Sequence, residues 1–71
     1  LAAARRDAVL EAMRALPTRQ REVIALRYYL DLSELEIANT LGISTGAVKS
    51  HASRGAAALR THLGNDLEDL R

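Results

Sequence analysis

The chain has 71 residues, ten Lys and Arg against nine Asp and Glu, a net charge of +1 and no cysteine. This is the size of one small domain, in which disulfides and thiolate metal sites are excluded as staples. No apolar run reaches the roughly eighteen residues that mark a membrane span, and no secretory leader is visible. The first residue is Leu1 rather than Met, so the sequence is expected to be a piece of something longer, and the lack of Cys fits a cytoplasmic location.

Residues 1–16 read as an amphipathic helix. Val9, Met13 and Leu16 form its buried stripe with Leu10 and Ala12 beside it, while Arg5, Arg6, Asp7, Glu11 and Arg14 face water. Pro17 has no N–H and clashes with a preceding helical turn, so it ends this helix. Proline is welcome in a first turn, so a second helix is expected from 17 or 18 to about 29. Val23, Leu26 and Leu30 point inward, with Ile24 flanking. Tyr28 and Tyr29 are the chain's two aromatics; one is expected at the core edge and the other in solvent.

Residues 33–63 carry the most specific pattern. Ser33 is a helix N-cap, and Glu36 lies three positions on, the spacing of a capping box. Leu35, Ile37, Ala38 and Leu41 make an apolar stripe on this short third helix. Gly42 falls where a left-handed residue is needed, Ile43 plugs the turn, and Ser44 caps the fourth helix. That helix turns Val48, Ala52, Ala56, Leu59 and Leu63 inward, and Gly64 stops it. A short acidic tail, 64–71, follows. Two helices joined by so short a glycine turn form a helix-turn-helix. The fold class is therefore all-α, a four-helix domain over 1–71 with a C-terminal helix-turn-helix. Arg27 and Glu36 lie near the expected crossing of the second and third helices, and a structural salt bridge is expected between them.

Charge is unevenly spread. No acidic residue occurs from Ile37 to Asn65, a window that holds Lys49, His51, Arg54, Arg60 and His62. A basic helix face is the electrostatic footprint of phosphate binding. With the inward set assigned, Ser44, Thr45, Gly46, Lys49, Ser50, Ser53 and Arg54 are left as the outward DNA-binding set. Lys and Arg can donate to guanine O6 and N7, and serine hydroxyls can donate or accept. Ser33, His51 and Arg60 are candidates for contact with the DNA backbone. No catalytic constellation is present and no cofactor is expected. His51 and His62 lie about three turns apart on one helix, too far to share a metal.

The run Leu16-Pro17, Arg21, Val23, Leu26-Arg27-Tyr28, Leu32-Ser33, Glu36-Ile37-Ala38, Leu41-Gly42-Ile43-Ser44, Gly46, Val48-Lys49-Ser50, Arg54 and Leu59-Arg60 resembles region 4 of bacterial RNA polymerase sigma factors, the extracytoplasmic-function group above all. The resemblance implies promoter −35 recognition by the last helix. It also implies docking on the flap of the polymerase β subunit through an apolar concave side, and coverage by an anti-sigma factor or other sigma domains. The chain departs from that pattern at Ala47, His51, Ser53 and Gly55, which thins the basic face. Val48-Lys49-Ser50-His51 also resembles the DNA-binding domain of LuxR/NarL-type response regulators, although Leu16-Pro17 and Leu26-Arg27-Tyr28 favour the sigma pattern. A third reading is a helix-turn-helix domain used only for protein–protein interaction.

Overall fold

The first helix, α1 (Ala2–Ala15), ends against its successor through one side chain: the Arg21 guanidinium donates to the Arg14 carbonyl at 3.3 Å. This satisfies one of the carbonyls that every helix C-terminus leaves free. The computed structural model describes residues 2–69, with side chains described for 3–64. Pro17, at φ −54°, starts α2 (Thr18–Tyr28), and its carbonyl accepts from the Arg21 N–H at 3.0 Å. The chain leaves α2 through Asp31, which adopts φ +56°, while the Leu32 N–H reaches back to the Leu26 carbonyl at 3.0 Å. Aspartate is among the few residues that tolerate this left-handed conformation.

The capping box forms as its spacing predicts. The Glu36 N–H donates to Ser33 Oγ at 3.1 Å and the Ser33 N–H donates to Glu36 Oε1 at 3.0 Å, opening α3 (Glu34–Leu41). Gly42 closes α3 in the left-handed region at φ +67°, where a Cβ would be strained. Ser44 Oγ accepts from the Ala47 N–H at 3.0 Å and caps α4 (Thr45–Asp69), a helix of 25 residues.

Neighbouring residues of α2 feed two cores. Val23 packs with Ile37, Ala38 and Val48, and this cluster joins α2, α3 and the start of α4. Ile24 packs with Met13 and Leu16, a cluster closed by Ala58 and Leu59 from the second half of α4. Helix α4 thus runs across both cores, and its angle is held at two points along its length.

Several expectations are corrected. Tyr28 and Tyr29 are both largely exposed, at 65% and 63%, where α2 ends. Leu30 lies beyond the helix end and is exposed rather than inward. Leu35 is exposed, since the eight residues of α3 bury only the narrow face of Ile37 and Ala38, with Leu41 half-buried. Leu10 is likewise largely exposed beside the α1 stripe. Gly64 does not stop α4, which continues to Asp69; a glycine permits a helix end but does not force one, and no proline follows it. The expected tail 64–71 is therefore helical as far as Asp69, and its last two residues lie outside the described part. Arg27 and Glu36 form no ion pair, because Glu36 is committed to its capping box; among the described residues the one salt bridge is Arg19–Glu22 at 3.5 Å, on the surface.

Candidate nucleic-acid interface

The first half of α4 has two sides. Val48 and Gly55 are buried and Ala52 is half-buried. Thr45, Gly46, Lys49, Ser50, Ser53 and Arg54 are all exposed, as the elimination from sequence predicts. At about 1.5 Å per residue, Gly46 to Arg54 spans roughly 12 Å of one helix, a length that fits along a major groove. Neither Lys49 nor Arg54 has an ion-pair partner among the described residues, and Ser50 and Ser53 donate to no protein acceptor. The acids nearest in sequence, Glu34 and Glu36, belong to the first turn of α3. Among the described residues this stretch therefore presents two cations without an ion-pair partner and free hydroxyl groups, and residues 45–54 include no carboxylate.

The remaining site residues fall elsewhere. Ser44 is exposed, but its hydroxyl oxygen is engaged by the Ala47 N–H. Ser33 has its N–H taken by Glu36 and its hydroxyl oxygen taken by the Glu36 N–H, so only its hydroxyl proton remains to donate. Donation from the Ser33 backbone N–H to the carboxylate, with the Ser33 side chain adding to it, holds the Glu36 carboxyl below its ordinary value of 4.5. His51 is half-buried, with Nδ1 shielded from solvent and unpaired, so only its other ring edge can turn outward. Arg60 lies further along α4, exposed, at the edge of an apolar groove of about 320 Å³ lined also by Ile24, Tyr28, Ala56, Leu59 and Leu63.

Sequence reasoning missed that groove, because it is assembled from α2 and the distal half of α4 and has no local signature. It also missed the role of Gly55. An added Cβ there would lie 2.8 Å from Ile24 Cγ1 and 3.2 Å from Ile24 Cδ1, so α4 crosses α2 at its closest point through a glycine. The available signal was a lone glycine inside a helical pattern, which commonly marks a close approach.

A family model described as sigma-70, region 4 matches residues 6–59. The RNA polymerase sigma-E factor of Streptomyces antibioticus is 42% identical over 58 residues, which is 82% of this chain and 32% of that protein. The ECF RNA polymerase sigma factor SigW of Bacillus subtilis is 46% identical over 48 residues, 68% of this chain and 26% of that protein. The probable RNA polymerase sigma factor RfaY of Xanthomonas campestris is 39% identical over 56 residues, 79% of this chain and 14% of that protein. The chain thus spans about a third or less of the length of the curated relatives it matches. With the capping box, the Gly42 turn and the α4 stretch that holds Lys49 and Arg54 all falling inside the matched residues, the chain belongs to the sigma-70 region 4 family.

Proposed function

We propose that this domain reads the −35 element of a bacterial promoter by laying the exposed face of α4 in the major groove. In this arrangement it acts as one part of an RNA polymerase sigma factor. The observation that carries the reading is the pair of unpartnered cations, Lys49 and Arg54, on an acid-free exposed stretch of a helix-turn-helix in a region 4 chain. Arg54 and Lys49 donate to guanine edges or phosphates, Thr45, Ser50 and Ser53 supply short hydroxyl contacts, and Ser44 sits where the turn meets the backbone. His51 and Ser33 contribute at most one donor each to flanking phosphates. The domain has no chemistry of its own to perform; it positions the polymerase that does.

The groove between α2 and α4 supports a second half of the proposal. Its apolar floor and the Arg60 rim suit an amphipathic helix with a carboxylate beside its apolar ridge. In a sigma factor the expected occupant is the β flap of the polymerase core, and an anti-sigma factor would compete for the same surface. A single module binds DNA weakly, so promoter affinity would come from tethering to the polymerase, which raises the effective concentration of α4 at the −35 element. The cellular setting is then the bacterial cytoplasm.

Arg54→Ala tests the DNA half. Its affinity for a promoter duplex should fall, and the outcome assigns the contact: a salt slope lower by about one marks a phosphate, while relaxed preference at one base pair marks a base edge at about 1–3 kcal/mol. Binding identical to wild type in affinity, slope and preference would remove Arg54 from the interface.

A further inference from the structure

Gly42 and Gly55 are demanded by the fold, the first by its left-handed φ of +67°, the second by Ile24 at 2.8 Å. Gly46 is demanded by neither. It lies in α4 with no positive φ, and a Cβ built there would meet only Ser44 Oγ at 3.8 Å, an ordinary contact. Alanine would fit and is the best helix former, whereas glycine weakens a helix by leaving the backbone more freedom to lose. Gly64 is equally unconstrained, but it sits in the last turns of α4, ten residues beyond the end of the exposed cationic stretch at Arg54. Gly46 sits inside that stretch, between Thr45 and Lys49 in sequence and one turn before Ser50. The fold of the domain therefore does not require a glycine at this position.

We propose that Gly46 is the point of closest approach between α4 and the promoter, a specificity-determining position whose missing side chain sets how deep the helix seats. A Cβ stands about 1.5 Å from its Cα. Base-edge hydrogen bonds tolerate a donor–acceptor range of only about half an ångström. A helix held out by even part of one Cβ length loses the reach of Ser50, Ser53 and Arg54 to the bases while its cations stay near the phosphates. This inference rests on the reading of α4 as the promoter-contacting helix.

The test pairs Gly46→Ala with Gly64→Ala in the 71-residue chain. Each is titrated by fluorescence anisotropy against a duplex that the wild-type chain has selected from a randomised pool, and against a scrambled duplex, with urea melts alongside. G46A should keep or raise the urea midpoint and bind the selected duplex at least tenfold more weakly, the loss of about one good base contact. Its binding to the scrambled duplex and its salt slope should stay unchanged, since no charge is altered. G64A should bind the selected duplex as the wild type does. A G46A variant that binds the selected duplex like the wild type, or that melts earlier, would overturn the role of Gly46 and leave the reading of α4 standing. A wild-type chain that selects no duplex would overturn the reading of α4 itself.

Discussion

Gly55→Ala is the substitution for which the structure and helix propensity give opposite signs. In an ordinary helix interior the change stabilises by about 1 kcal/mol. Here the new Cβ would sit 2.8 Å from Ile24 Cγ1, closer than real Cβ contacts come, and 3.2 Å from its Cδ1. Ile24 cannot swing aside, since it is 2% exposed and wedged between Met13, Leu16 and Leu59. Overpacking of this kind costs about 1–3 kcal/mol. Taking about 2 kcal/mol for the clash and subtracting the propensity gain leaves a net destabilisation of about 1 kcal/mol. For a domain of this length that lowers Tm by about 4–8 °C in a thermal melt followed by circular dichroism. The decisive control is Ile24→Ala, which removes both offending atoms. In that background, held folded with a fixed concentration of a stabilising osmolyte, Gly55→Ala should instead raise Tm, because only the propensity gain remains. The two sites should then show a coupling of about 2 kcal/mol in a double-mutant cycle, within the range for residues in contact. A higher Tm for G55A in the wild-type background would refute the reasoning, since it would mean that α4 does not cross α2 through this glycine.

Two further predictions concern Glu36. Its folded-state pKa is lowered first by the Ser33 backbone N–H and then by the Ser33 side chain, so the capping contribution is fully present above the ordinary value of 4.5 and is lost as pH falls through the lowered value. Glu36→Gln preserves the capping box but does not titrate; Tm profiles of the two proteins should converge as pH falls below that window, and parallel profiles across it would contradict the assignment. Arg27→Met should leave stability within about 0.5 kcal/mol of wild type, because the Glu36 carboxylate is engaged with Ser33 rather than with Arg27; a loss of several degrees in Tm would restore an Arg27–Glu36 ion pair.

What could be read from the sequence was what is local. The capping box of Ser33 and Glu36, the left-handed Gly42 and the Ser44 cap each depend on a few consecutive residues, and all three form. That Thr45, Gly46, Lys49, Ser50, Ser53 and Arg54 are exposed followed from subtracting the inward positions of α4. Periodicity could not say which flank of a short helix is covered, so Leu35 was assigned inward although α3 buries only part of its apolar surface. Leu30 and the two tyrosines depended on where α2 ends and on the positive φ of Asp31, neither of which a 3.6-residue period reports. Gly55 illustrates the non-local limit. In sequence it is a helix-weakening residue; in the fold it is the clearance for Ile24, which is distant along the chain. The apolar groove had the same obstacle, since Ile24 and Tyr28 meet Leu59 and Leu63 only after α2 and α4 have packed.

The most direct test is a ¹H–¹⁵N NMR titration of the domain with a duplex that it selects from a randomised pool. The largest amide shifts should fall on Thr45, Gly46, Lys49, Ser50, Ser53 and Arg54, weaken steeply as salt is raised, and leave Ile24, Tyr28, Leu59 and Leu63 at the groove nearly unmoved. Shifts confined to the groove, or none at saturating duplex and low salt, would contradict the assignment of α4 as the promoter-reading helix.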